Sequence, residues 1–227
     1  MKVLLVNTSE RIGGAAVACN RLMEALKSNG ISAKMLVRDK QTDNLSVSTL
    51  DGKWRQVWHF LWERFCIWTA NGMRNRKNLF FVDIANTGTD ITKLPEFKEA
   101  DIIHLHWVNQ GMLSLDIIGR ILKSGKPVVW TMHDMWPCTS ICHHARTCDK
   151  YRFECHHCQY LAGGGSDNDI SNKIFKKKKQ TYAAGHISFV TCSKWLRQLA
   201  ERSALLNGHD VTNIPNPINT NLFKPAD

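Results

Sequence analysis

Two apolar runs that each end on histidines limit what this chain can fold into. Residues 101–107 read Asp-Ile-Ile-His-Leu-His-Trp, and residues 127–134 read Pro-Val-Val-Trp-Thr-Met-His-Asp. Short apolar runs bounded by turn residues and rich in β-branched side chains describe strands buried on both faces, which belong to a parallel sheet. Their polar residues gather at the carboxyl ends, the edge where open α/β sheets keep their ligands. Chemistry is therefore expected at those two strand tips.

The rest of the chain alternates in the same way. Residues 2–7 form a short apolar strand, and residues 15–28 carry Val17, Leu22, Ala25 and Leu26 at helical spacing before Asn29-Gly30 closes the helix. Residues 31–37 give a second strand and 95–99 lead into the strand at 101. A helix over 114–123 ends at Gly125, residues 187–192 form a further strand, and Ser193 is placed to cap a helix over 194–203. Strands separated by helices imply crossovers and a parallel sheet with helices on both faces.

A length of 227 residues with 43% hydrophobic content is enough to fill a core. The amino terminus turns polar too early for a secretory signal, and no apolar run approaches the roughly 18 residues needed to span a bilayer. The expected location is cytoplasmic, with at most peripheral contact at the inner face of the plasma membrane. The net charge of +10, with lysines at 176–179 and Arg55, Arg64, Arg74, Arg76 and Lys77 elsewhere, attracts phosphates without choosing among them. The lysine block itself reads as a solvated helix between Ser171 and Tyr182. No zinc-finger, homeodomain or RNA-recognition pattern is present, so nucleic acid is not an expected partner. Over residues 54–68, Trp54, Trp58, Leu61, Trp62 and Phe65 fall at helical spacing beside Arg55 and Arg64. Such a stripe either lies in a membrane interface or fills a groove beside the sheet, and core packing is the favoured reading.

Three local patterns carry chemistry. After the first strand, Gly13 and Gly14 sit where the backbone turns into a helix, offering free N–H groups to an anion or a polyol; a purely structural turn fits them equally well. Alternation sends His104 and His106 to one face of their strand; His104 is a substrate-binding candidate, and one of the two is readable as a satisfied core histidine. His106, at the tip, is the better candidate for contact with a reacting group, while His133 and Asp134 on the neighbouring tip orient one another or bind a polyol. Finally, Cys142, Cys148, Cys155 and Cys158 follow the spacing Cys-x5-Cys-x6-Cys-x2-Cys. In a reducing compartment four such thiols suit a closed structural zinc site, with free thiols as the alternative; His143, His144, His156 and His157 are rival ligands. The remaining Cys19, Cys66, Cys138 and Cys192 read as buried small residues.

Taken in order, the Gly-Gly loop, the Asp-Ile-Ile-His-Leu-His-Trp strand, Thr-Met-His-Asp-Met-Trp-Pro with its cysteine-rich sequel, and the closing Asn-Ile-Pro-Asn-Pro-Ile-Asn-Thr-Asn-Leu-Phe-Lys-Pro from residue 213 resemble the amino-terminal half of a retaining glycosyltransferase of family four. The likeness is strongest to members that build bacterial exopolysaccharide, lipopolysaccharide or colanic-acid-like chains. It implies the GT-B arrangement, in which two Rossmann-like domains face each other across a cleft. On that basis residues 1–212 form the acceptor-binding domain with a cysteine-rich insertion over 138–160, residues 213–227 form an interdomain linker, and the donor-binding domain is not in this chain. No two glutamates have the family's Glu-x7-Glu spacing. The implied reaction is transfer of a hexose-type sugar from a nucleotide sugar to a glycan or lipid-linked hydroxyl, with retention and front-face attack, and with no cofactor needed for the chemistry.

The resemblance places Gly13 and Gly14 at the loop that approaches donor phosphate and acceptor, and His106 against the donor sugar. It sets His133 and Asp134 on the acceptor side. Asn216-Pro217 departs from the family's usual Asn-Gly and stiffens the hinge. A non-catalytic glycan- or partner-binding module of the same fold is the alternative function. A zinc hydrolase fits less well, because four cysteines leave no open metal position.

Overall fold

The computed structural model describes residues 1–73, 78–220, 223 and 224. Arg74, Arg76, Lys77 and the end of the closing segment lie outside the described residues. Seven strands form one sheet: β1 (Lys2–Ser9), β2 (Ser32–Asp39), β3 (Val47–Thr49), β4 (Ile102–Leu105), β5 (Val128–Met132), β6 (Ser188–Thr191) and β7 (Asp210–Asn213). Their order across the sheet is β3-β2-β1-β4-β5-β6-β7, and every neighbouring pair is parallel. Among the described residues, six α-helices lie between them: α1 (Gly14–Ser28), α2 (Lys53–Ala70), α3 (Pro95–Glu99), α4 (Leu115–Lys123), α5 (Ile170–Tyr182) and α6 (Lys194–Ala200). The fold is the α/β, Rossmann-like class expected.

Helix ends follow the local chemistry. The Ser114 and Ser193 hydroxyls accept from the backbone N–H of Ile117 and Leu196 at the starts of α4 and α6, and Asp169 accepts from Asn172 N at the start of α5. Two edge strands, β3 and β7, were not expected. β3 is only three residues long, and β7 alternates exposed and half-buried positions, so neither displays a buried-strand run.

The two faces of the sheet are unequal. Leu4, Val6, Ile103, Leu105, Trp130, Met132 and Phe189 point into the main core, which α3 to α6 cover through Phe97, Ile118, Phe175 and Leu196. On the other face, α1 packs Cys19 and Met23 against Val3, Leu5, Met35 and Val37. Beyond α1, that second face carries His104, His106, Val129, Thr131 and Val190 along a groove of about 250 Å³ that residues 214–217 border.

Two expectations about side chains are corrected. The α2 stripe is not core: Trp54 is 87% exposed, Trp58 61% exposed, and Leu61, Trp62 and Phe65 are also exposed, while Gln56, Glu63, Arg64 and Ile67 are buried. The helix turns its charged pair inward because those charges have partners there, as described below. Nor is the lysine block uniformly solvated. Lys178 is fully buried, donating to the carbonyls of Trp136 (2.6 Å) and Thr139 (3.0 Å) with its ammonium 3.3 Å from the Trp136 ring centroid. Among the described residues, no helix is long and apolar enough to cross a membrane.

Candidate functional site

A cavity of about 560 Å³ opens at the carboxyl edge of β1, β4 and β5, lined by Gly13, Gly14, Arg38, Trp107, His133 and Asp134 among others. The first turn of α1 borders it without any side-chain cap. Gly13 holds φ at +92°, a conformation that favours glycine, and a Cβ on Gly13 or Gly14 would meet nothing within 4 Å. Uncapped N–H groups at the positive end of a 15-residue helix therefore face open space, where an anion is stabilised. Of the six residues expected at this site, the structure brings Gly13, Gly14, His133 and Asp134 together; His104 and His106 stand apart, on the groove of the second face.

Asp134 is locked in place. One of its oxygens accepts from Trp107 Nε1 at 2.9 Å and faces His143 Nδ1 at 2.7 Å, and the other accepts from Trp136 N at 2.8 Å. The opposite ring nitrogen of His143, Nε2, lies 2.6 Å from Asp83, which also pairs with Arg64. Next to Arg64, Glu63 accepts from the backbone of Ile84 (3.0 Å) and Ala85 (2.7 Å). An imidazole with a carboxylate oxygen against each nitrogen must carry both protons. Burial pulls the His143 imidazole down, but its hydrogen bonds to Asp134 and Asp83 and their charges outweigh this and hold it at about 10. Burial pushes Asp134 up, yet the bonds from His143, Trp136 and Trp107 win and its carboxyl sits below the ordinary range. Glu63 is raised to about 8 by burial and by the Asp83 charge.

The chain reaches this arrangement by doubling back after β5. Met135 N donates to His143 O at 2.9 Å, His143 N donates to Phe81 O at 3.1 Å, and Val82 and Cys142 form an antiparallel bridge. The start of the cysteine-rich excursion thus delivers His143 to the underside of Asp134.

A second set of imidazoles is neutral. His104 and His106 share a face of β4 as alternation requires, with rings stacked at 4.5 Å, and His106 Nδ1 lies 2.9 Å from His133 Nε2. His106 is only 3% exposed and its Nε2 has no hydrogen-bond partner. Burial, assisted by the neighbouring His133, lowers His104 to about 4; burial alone lowers His133 to about 4 against the pull of Asp134. Burial and both neighbours hold His106 well below its ordinary value. His104 and His106 border the groove on the second face of the sheet, so His106 meets the edge cavity only through His133.

Of the candidate metal ligands, Cys142, Cys148, Cys155 and Cys158 are reduced, half-buried and packed against the main core. Burial pushes Cys142, Cys155 and Cys158 up to about 12, and neighbouring thiols of the quartet add to the shift. His143 is removed from the rivals because both its nitrogens are engaged, and His144 Nδ1 accepts from Arg146 N at 2.9 Å. Cys19 and Cys138 are buried as expected, while Cys66 and Cys192 are half-buried and Cys192 borders the cavity.

Reading the sequence alone missed Trp107, Gln110, Arg38 and Asp83 as parts of this site. Trp107 was in view at the end of the histidine strand and only its tip position could have flagged it. Asp83 lies in a segment with no strand or helix pattern, so nothing local marks it.

A parallel sheet with a helix N-terminus and a fixed carboxylate at its carboxyl edge is an α/β protein with a candidate ligand site where open sheets keep theirs. The model for Glycosyltransferase Family 4 matches residues 12–222, and the chain belongs to that family. No curated protein matches it.

Proposed function

We propose that the edge cavity is the acceptor side of a sugar-transfer site. The donor is a nucleotide sugar, the acceptor a hydroxyl of a glycan or lipid-linked carrier of the cell-envelope polysaccharide kind, and the transferred hexose keeps its anomeric configuration. The observation that carries this reading is the convergence of the uncapped α1 terminus, Trp107, His133 and the immobilised Asp134 on one cavity, in a chain of this family. The helix terminus favours a donor phosphate, the Trp107 ring offers an apolar face to a sugar, and His133 and Asp134 are placed to orient an acceptor hydroxyl. His106 acts behind His133 rather than on the sugar. Front-face attack with the donor's own phosphate taking the proton asks these residues for orientation and not for a nucleophile.

A nucleotide-sugar and acceptor screen tests this. Turnover should appear with one donor class and fall by about 100-fold in Asp134→Ala, the scale expected when a positioned group is lost. Saturable donor or glycan binding with no turnover under any pairing would point instead to a binding module.

The exposed aromatic face of α2 supports peripheral contact with an anionic membrane, which would bring the cavity to a lipid-linked acceptor. Its exposed side carries Lys53 and Arg55, and the helix's one acid, Glu63, is buried. Flotation with anionic vesicles should retain the protein, and changing Trp58 and Trp62 together to Ser should release it.

A further inference from the structure

The cysteine-rich excursion is long for the little that holds it. From Thr139 to Gly165 it contains only the 3₁₀ turns Lys150–Arg152 and Ala162–Gly164 and the single bridge at Cys142. Yet it carries four of the chain's eight cysteines, and all four thiols turn inward onto the main core. Beside them stands Lys178, a fully buried ammonium whose partners are two carbonyls and an indole face. Among the described residues it has no carboxylate within ion-pair distance, and the groups whose charge it faces are Cys138, Cys142, Cys155 and Asp134, the last already committed to His143. With no anion in reach, burial pulls Lys178 down to about 7, and only a nearby anion would hold it charged. Neutral thiols do not supply one; four thiolates around a divalent ion carry a net charge of −2.

We propose that Cys142, Cys148, Cys155 and Cys158 hold one structural zinc ion as a tetrathiolate, with Lys178 as its buried counter-charge. Among the described residues, three metal-donor atoms lie within 4.8 Å of one another only at His156, His157 and Asp167. The four sulfurs therefore stand wider than in a filled tetrahedral site, where zinc–sulfur bonds near 2.3 Å set them about 3.8 Å apart. Binding draws them together, releases their protons and fixes the excursion. The histidine group competes on paper but is open to solvent, and its carboxylate is exposed. Because the excursion presents His143 to Asp134, the zinc would also brace the cavity wall.

Cobalt(II) and zinc titrations of the metal-stripped, reduced full chain decide between the two groups. One equivalent should bind, cobalt should show sulfur-to-metal charge-transfer absorption, and zinc should protect the four cysteines from alkylation while Cys66 and Cys192 still react. Replacing His156 and His157 together with Ala should leave this unchanged. Lys178→Met should lower zinc affinity by about 10- to 100-fold, as loss of an outer-shell partner does. Cys158→Ser should remove the charge-transfer band. Metal binding that disappears in the His156/His157 variant, or four thiols that alkylate equally with and without zinc, overturns the proposal. Should Lys178→Met fail to fold, the alkylation pattern of the wild-type chain still gives the answer.

Discussion

A cluster of three histidines and a single histidine, His143, lie near one another in this fold and have opposite charge states. His104, His106 and His133 are stacked on one another over apolar strand neighbours, no carboxylate of the described residues lies within hydrogen-bond reach of them, and burial outweighs the pull of Asp134 and keeps the rings neutral. His143 is also buried, but Asp83 and Asp134 flank it and hold it as an imidazolium. Desolvation acts on both; the difference lies in whether a carboxylate is within hydrogen-bond reach. The neutral stack joins the tips of β4 and β5, and the charged centre fixes a carboxylate at the cavity wall.

The largest expected effect separates the two by stability. His143→Ala leaves Asp83 and Asp134 facing each other without their shared cation and should cost about 3–5 kcal/mol in urea unfolding, as loss of one partner of a buried pair does. His106→Leu removes a ring whose Nε2 is already unpartnered and should cost only about 1 kcal/mol, near the range of volume-conserving apolar changes. Equal losses at the two sites would erase the distinction.

The pH dependence should separate them by sign. His104 and His133 fold with values of about 4, below the unfolded value of about 6.5. Their contribution is present above pH 6.5 and is lost as pH falls toward 4. His143, held at about 10, contributes below pH 6.5 and loses that contribution as pH rises to 10. Glu63 overlaps the acid limb with the opposite slope, since its value of about 8 lies above the unfolded one and its contribution declines between about 4.5 and 8. In Glu63→Gln the acid limb should stand alone, with stability falling on the order of 2 kcal/mol from pH 6.5 to 5. His143→Gln should flatten the alkaline limb and leave the acid one. An acid limb that persists when His104, His106 and His133 are all replaced would assign it elsewhere.

The neutral cluster was largely legible beforehand and the charged one was not. Period-two alternation placed His104 and His106 on one face, and the two strand tips placed His133 beside them, because neighbouring parallel strands bring equivalent ends together. What alternation does not give is exposure, and so His106 read as a tip residue when it is covered. The charged centre depends on Asp83, from a segment without periodicity, and on a chain reversal after β5 that no pattern announces. The α2 helix shows the same limit. Its aromatic spacing was read correctly as a stripe, but which side faces inward was decided by Arg64 and Glu63, whose partners lie some twenty residues away. The central strands and the helix ends came from local rules, whereas buried charge pairs are long-range facts.

The smallest expected effect on stability tests whether the cavity beside the charged centre binds anything. Gly14 begins α1 with ordinary helical geometry, and a Cβ there would project into space free of neighbours within 4 Å. Alanine is the better helix former, so Gly14→Ala should leave unfolding within about 0.5 kcal/mol or stabilise slightly, provided nothing else occupies that space. A ligand phosphate brought close to the α1 terminus would meet the added methyl, and donor affinity should drop while the unfolding curve stays put. Gly13→Ala is the contrasting case, since φ of +92° strains any L side chain and stability itself should fall. If Gly14→Ala binds nucleotide sugar as well as the parent does, the donor does not approach this terminus, and the charged centre would be fixing Asp134 for some other occupant of the cavity.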